Sequence, residues 1–397
     1  MKFKDLFHKT AGKWYPDWEA IMRIDEFRKL ALCKQSLKWH KEGDAWCHTV
    51  AVTNEMVNHL YKDYCPDMEK YYLMMISAAL CHDLGKPSTT KWDEELQEYK
   101  TKCHGQVGAQ ITRSLFFDED IIMREMVCYM VRHHMTLHHI LDDPSKMERT
   151  LKKMSYGWVS VSDMLILSMC DSFGSKNDVE TRETTKERIQ KIADTASKLN
   201  CLNTHYPFDK PYGKFTYFNN LPEDAVLNEE YGKFTVYILI GLPGAGKDTL
   251  INDVFPELPT VCRDEIRKSI GLKGEKPQGN KAQEDKVTHL FKKRFTELCQ
   301  EGKDFVVNNT SLRKKYRAEY VNEAIKYGAR IAFIYIEADS IDTNKKRREG
   351  MIAPSVIDGM FERMEFPEPY EFNNIYIIGK NEGKMTQEKF KAQFVIY

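Results

Sequence analysis

Gly241-Leu242-Pro243-Gly244-Ala245-Gly246-Lys247-Asp248-Thr249 stands between a short apolar run, 235–240, and a stretch with helical spacing, 247–254. Strand, glycine-rich turn, then helix is the context a phosphate-cradling loop requires. Glycines let backbone N–H groups turn inward around an anion, and the start of the helix adds its partial positive charge. In this register Gly241, Gly244, Ala245, Gly246, Lys247, Asp248 and Thr249 form a nucleotide-binding set for ATP or another NTP. Lys247 reaches the β- and γ-phosphates. The residue after such a lysine is ordinarily Ser or Thr, with its hydroxyl on Mg²⁺. Here it is Asp248, with Thr249 next, and either can take the cation.

Two further runs follow the loop. Cys262-Arg263-Asp264-Glu265-Ile266-Arg267 lies just past a second strand candidate, 260–262, at the point that faces an acceptor. A carboxylate at Asp264 can accept the proton of an attacking hydroxyl, and Arg267, one helical turn on, can hold an acceptor phosphate. The stretch 342–350 is basic, and an arginine on it can neutralise the transferring phosphoryl group. Arg348 is the first candidate and Arg347 the second. Further strand candidates at 305–308, 330–336 and 375–378 alternate with helical stretches, including a long one at 282–300. Strand–helix alternation predicts an α/β domain, 235–397, with a parallel sheet covered on both faces.

Upstream the pattern changes. Residues 200–234 are rich in Asn, Pro, Gly and aromatics without sustained period, and read as a linker. Residues 1–199 form the first domain, helical almost throughout from about residue 17, with three- and four-residue apolar spacing at 50–61, 71–82, 106–117, 121–132 and 159–173. One interruption, 87–100, reads as a loop or small hairpin. The expectation is two domains, all-α followed by α/β.

The helical half holds an ordered set of metal-ligand types: His48, His82-Asp83, His104, His133-His134 and Asp171. Imidazole and carboxylate suit a divalent transition metal such as Mn²⁺, Ni²⁺, Co²⁺ or Zn²⁺, and converging helices can assemble them. Such a cation lowers the pKa of a water and polarises a phosphoryl oxygen, which suits phosphomonoester or cyclic phosphodiester hydrolysis. Cys47, Cys81 and Cys103 each precede a histidine, so a thiolate site is the rival reading. Neighbouring helical residues point about 100° apart, which turns those cysteines away from the ligands.

Composition bounds the rest. The chain has 397 residues, 59 Lys and Arg against 59 Asp and Glu, and so no global basic field for indiscriminate nucleic-acid binding. Local patches must hold any polyanion; one candidate is Arg313, Lys314, Lys315 and Arg317. Ten cysteines without a CxxC pair suit reduced thiols. No signal-peptide h-region is evident in the first residues, and the longest apolar stretch is too short to span a bilayer. A cytoplasmic location is the expectation.

Gly241–Thr249, Asp264, Arg267 and the arginines near 348 resemble the 5′-hydroxyl polynucleotide kinase clade of P-loop phosphotransferases, over about 235–372. The resemblance makes Asp264 the general base, places Arg267 on the acceptor's 3′-phosphate, and makes Arg348 or Arg347 the lid arginine. In that clade the third strand ends with an acid before Thr; here Asn308-Asn309-Thr310 stands there, which removes a water-mediated Mg²⁺ contact.

The order His, His-Asp, His, Asp resembles the HD superfamily of metal phosphohydrolases. Trp39-His40-Lys41-Glu42-Gly43-Asp44-Ala45-Trp46-Cys47-His48-Thr49 and Cys81-His82-Asp83-Leu84-Gly85-Lys86-Pro87 are similar to the HD segments of tRNA nucleotidyltransferases. This implies that His48, His82, Asp83 and Asp171 hold one metal. His104 with His133 or His134 would serve a second metal or the substrate phosphate, and Lys86 would neutralise phosphate charge.

Together the halves resemble the HD-Pnk family of bacterial RNA-repair enzymes. That implies end healing of RNA, or DNA, ends: removal of a 2′,3′-cyclic phosphate or 2′-phosphate and NTP-dependent phosphorylation of a 5′-OH, in cooperation with an RNA ligase. A metabolic nucleotidase fused to a nucleoside or nucleotide kinase, and a nucleotide-sensing regulator, are the alternatives.

Overall fold

The computed structural model describes every residue except 141–142, 177–179, 223–225, 227–230, 273–280, 380–384 and 397. The chain divides into two compact units, Met1–Pro207 and Phe208–Tyr397.

In the first unit the site-bearing helices are α1 (Ala45–Leu60), α2 (Glu69–Cys81), α3 (His104–Leu115), α4 (Ile121–His133) and α5 (Val161–Gly174). Their starts are set by side chains that satisfy otherwise unpaired N–H groups. Asp44 accepts from Cys47 N at 2.9 Å and Asp120 from Met123 N at 2.9 Å, while Ser160 and Asp163 form a reciprocal box at the head of α5. α1 packs against α2 and α5, and α4 against α2 and α3. α2 is buried from Met74 to Cys81 without a break, so the next two residues, His82 and Asp83, are delivered into the interior. Two hairpins decorate the helices: β1 (Phe7–Thr10) with β2 (Lys13–Pro16), and β3 (Thr90–Asp93) with β4 (Glu98–Thr101). The interruption at 87–100 is thus a short helix, Lys86–Thr89, running into a hairpin. Close approach of α3 depends on Gly85, where a Cβ would collide with His104 O and Gly108 N.

The second unit has one six-stranded sheet built from β5 (Thr235–Ile240), β6 (Thr260–Val261), β7 (Phe305–Val307), β8 (Arg330–Ile336), β9 (Asn374–Ile378) and β10 (Phe394–Ile396). Their order is β10-β9-β8-β5-β7-β6, parallel except for β10, which pairs antiparallel with β9 at the edge. The central strands read as near-continuous apolar runs because both faces are covered. Helices α6 (Lys247–Val254), α7 (Arg263–Ser269), α8 (Lys281–Glu301), α9 (Lys314–Lys326) and α10 (Ile341–Arg347) carry the residues singled out by sequence.

The stretch 200–234 does not form a separate linker over its described residues. From Phe208 on it belongs to the second unit, where the helix Gly213–Asn219 buries Phe215 and Thr216 and Lys214 donates to Pro369 O and Phe372 O. Aromatic residues too few for a periodic signal are what anchor it.

Candidate functional sites

Asp83 lies at the centre of the helical unit's site, 1% exposed. Its Oδ2 is 3.2 Å from His82 Nε2 and 3.7 Å from His48 Nε2; its Oδ1 is 3.5 Å from His104 Nε2 and 3.9 Å from His134 Nε2. Asp171 closes the first group, with Oδ1 2.9 Å from His48 Nε2 and 3.7 Å from His82 Nε2. The result is two adjoining ligand sets that share Asp83: His48, His82, Asp83 and Asp171, and Asp83, His104 and His134.

The hydrogen bonds on the far side of the rings fix which nitrogen faces inward. His82 Nδ1 donates to Ala79 O at 2.8 Å and His134 Nδ1 to Val131 O at 2.7 Å, so each ring turns its Nε2 to the pocket. His48 Nδ1 faces Glu42 Oε1 at 3.0 Å. The inward nitrogens crowd one another, His82 against His48 at 3.3 Å and His104 against His134 at 3.0 Å. Both Asp83 oxygens are buried without a hydrogen-bond partner; Lys86 Nζ, 2.7 Å from Oδ2, forms an ion pair outside hydrogen-bond geometry. Converging lone pairs and orphaned carboxylate oxygens are a donor set that fits a divalent cation.

The electrostatics agree. Burial opposes a charge on His48, but its hydrogen bond to Asp171 and the Glu42 carboxylate beside Nδ1 outweigh burial and raise it to about 9: the first group favours positive charge. Burial would raise Asp83, yet His82 and Lys86 hold it well below the carboxylate range. Burial lowers His104 to about 4 and drives His134 well below the usual imidazole value, so both keep the neutral form that ligates metal.

His133, offered by sequence beside His134, turns onto Tyr129 with ring centroids 4.6 Å apart and belongs to neither set. Three partners escaped the sequence reading. His138 Nε2 lies 3.0 Å from Asp171 Oδ2, Glu42 bridges His40 and His48, and Gln35 accepts from Lys86 at 2.6 Å. The four-residue step from His134 to His138 was a usable signal for the first. All ten cysteines are free, and among the described residues none joins a ligand group.

In the second unit the loop after β5 has Gly244 and Gly246 at φ +78° and +105°, conformations that side chains resist. Lys247 folds back into it, donating to Gly241 O at 3.0 Å and Leu242 O at 2.9 Å; burial lowers its ammonium to about 8. α10 grips the loop from outside through Asn344 Nδ2 to Pro243 O at 2.9 Å and Arg347 Nη1 to Gly244 O at 3.0 Å. Arg348 Nη2 lies 3.8 Å from Asp248 Oδ2. Arg347 is therefore committed to backbone, whereas Arg348 is directed at the end of the loop. Thr249 is exposed in the first turn of α6.

Asp264 and Arg267 pair at 2.6 Å on α7, and Asp264 is near enough to Lys247 to influence its charge. Glu284, on α8 and unmarked by any local motif, holds Arg267 with two contacts of 3.1 Å. The basic patch at 313–317 is smaller than its sequence suggests. Arg317 is fully buried and paired with Glu371, and Lys314 contacts the Tyr370 hydroxyl.

Family models match both halves: an HD domain over residues 56–197 and an AAA domain over residues 236–354. A CC-adding tRNA nucleotidyltransferase of Thermus thermophilus is 44% identical over 62 residues, which is 15% of this chain and 14% of that protein. The chain thus covers only a small part of that relative's length. An HD-type helical domain is joined here to a P-loop, kinase-like domain, and among the described residues no helix is long and apolar enough to cross a membrane.

Proposed function

We propose that the chain heals broken RNA ends, with a 5′-hydroxyl kinase in its second half and a 2′,3′-cyclic phosphate or 2′-phosphate phosphohydrolase in its first. The observation that carries the reading is the pairing of the histidine–aspartate pocket with an acid–arginine pair, Asp264 and Arg267, beside Lys247. Phosphate removal and phosphate addition on one chain are the complementary chemistries a cleaved strand needs.

In the first half His48, His82, Asp83 and Asp171 would hold one cation and Asp83, His104 and His134 a second. Such a cation supplies Lewis-acid polarisation of the phosphoryl oxygen and an activated water. Lys86 holds positive charge beside Asp83 and offsets the charge of an incoming phosphate, while Glu42 and the Ala79 and Val131 carbonyls keep the rings aimed inward. In the second half the loop N–H groups and Lys247 hold the NTP phosphates, with Mg²⁺ as the accompanying cation. Asp264 accepts the proton of the attacking 5′-OH. Arg267, released from Asp264, holds the acceptor's phosphate, and Arg348 offsets charge on the phosphoryl group in flight.

A short RNA bearing a 5′-OH and a 2′,3′-cyclic phosphate, incubated with ATP and Mn²⁺, tests both halves at once. The expected product carries a 5′-phosphate and has lost its cyclic phosphate. Because burial removes Arg317 from any strand-binding groove, the small-molecule alternative keeps an arm of the test. Phosphorylation of free nucleosides but not of the RNA would replace this reading with the metabolic one.

A further inference from the structure

In P-loop phosphotransferases the nucleotide's cation takes a hydroxyl from the residue after the loop lysine and a carboxylate from the end of a neighbouring strand. This chain departs at both positions. Asp248 stands where the hydroxyl belongs, and Asn308, just past β7, stands where the acid belongs. Taken separately the two departures remove both contacts. The structure brings them together: Asn308 Nδ2 donates to Asp248 Oδ1 at 2.7 Å.

We infer that Asp248 and Asn308 are a matched exchange, in which the carboxylate that serves the nucleotide's Mg²⁺ has moved from the strand to the helix and the strand amide holds it in place. The inference rests on reading the second half as a P-loop phosphotransferase. Its physical basis is charge. Two carboxylates at that separation would repel each other, and none would leave the protein only neutral donors to offer the nucleotide's cation. One acid and one amide keep a single negative charge, and the hydrogen bond to Oδ1 leaves Oδ2 facing only the Arg348 guanidinium at 3.8 Å, which must give way to the cation. Asp248, Asn308 Oδ1 and the Thr249 hydroxyl are all hard oxygen donors, the type Mg²⁺ prefers. A bare acid beside a triphosphate is otherwise unfavourable, because like charges repel at close range even in water. A bridging cation reverses that sign. The competing role for Asp248 is favourable interaction with the N-terminus of α6, which needs no metal.

The test uses the full chain in four forms: unchanged, Asp248→Ser, Asn308→Asp, and the double exchange. Bound Mn²⁺ is read by electron paramagnetic resonance with a non-hydrolysable ATP analogue, and melting temperature is read without metal. Asp248→Ser should weaken Mn²⁺ in the ternary complex by at least about 10- to 100-fold, the range seen when even an outer partner of a metal site is lost. Asn308→Asp should weaken metal-free nucleotide binding. The double exchange should restore Mn²⁺ binding towards that of the unchanged protein. A double variant no better than Asp248→Ser overturns the inference. So does an Asp248→Ser protein that binds Mn²⁺ normally and only melts earlier. No acceptor is present, so rescue of Mn²⁺ binding without RNA phosphorylation would sink the end-healing proposal and leave this one standing.

Discussion

Asp83 presents one oxygen to each half of the histidine cluster, and the geometry of that arrangement depends on residues behind the rings. Glu42 is the clearest of them: its side chain is 5% exposed, and Oε1 lies 2.8 Å from His40 Nδ1 and 3.0 Å from His48 Nδ1. Glu42→Gln keeps the shape and removes the charge that raises His48's basicity. Metal affinity in the first unit should fall about 10- to 100-fold, with 5′ phosphorylation unaltered; metal titration of the purified variant checks it, and unchanged affinity would deny Glu42 its role. In the second unit, Asp264→Asn should lower kcat for phosphorylation by roughly 10²–10⁴, the usual cost of losing a general base. A normal rate at saturating acceptor would remove Asp264 from the chemistry. Residue types and order were legible in the sequence at this scale, because chemistry limits which side chains can bind metal or phosphate. Facing was not. His133 and His134 are neighbours in sequence, and only the packing of α4 decides that one meets His104 and the other meets Tyr129. Glu284 and Arg317 were illegible for the same reason, since the partners of both are distant in sequence: Arg267 for one, Glu371 for the other.

Elements were legible wherever period and caps agreed. The 247–254 and 330–336 segments form a helix and a strand over those same residues, because a glycine-rich turn bounds one and a two-sided apolar run marks the other. The segment 200–234 carries no sustained period and so resembles a linker, yet within it the helix Gly213–Asn219 docks through Phe215 and through Lys214, whose ammonium donates to Pro369 O and Phe372 O. Burial pulls that lysine down to about 7. Between about pH 7 and the ordinary lysine value near 10.4 the unfolded chain holds a proton that the folded one has released. Unfolding therefore takes up a proton, and through Lys214 stability of the second unit should rise with pH across that window by at most about 5 kcal/mol. Lys214→Met should remove Lys214's part of this rise and leave that of Lys247, whose ammonium burial lowers to about 8, while lowering stability by about 1–3 kcal/mol from the two carbonyls left without a donor. Denaturant titrations of both proteins at pH 7 and pH 9 are the check. Parallel shifts in the two proteins would show that Lys214 keeps its proton throughout.

At the scale of the whole molecule the two proposed chemistries fall in separate compact units, and every side chain assigned to one lies within that unit. No residue of the histidine–aspartate pocket belongs to the segment that carries the phosphate loop, and Lys247, Asp264 and Arg267 all lie beyond Pro207. The sequence pattern anticipated this division, because a helical period and a strand–helix alternation cannot share one core. Separate sites imply separable activities. Lys247→Ala removes the charge that holds the NTP phosphates and should abolish 5′ phosphorylation, with cyclic-phosphate removal unchanged. Asp83→Asn removes the carboxylate shared by both ligand sets and should abolish metal binding and phosphate removal, with phosphorylation unchanged. It also leaves Lys86 buried without its ion pair, a loss that can reach about 3–5 kcal/mol. Loss of hydrolysis therefore counts only if melting of the first unit shows it still folded at the assay temperature; Asp83→Asn paired with Lys86→Met removes both charges and supplies that control. Both reactions are followed on a single RNA carrying a 5′-OH and a 2′,3′-cyclic phosphate, so that each variant provides its own internal standard. If either single change in a folded protein silences both ends of the RNA, the activities share a site, and the assignment of one chemistry to each unit fails.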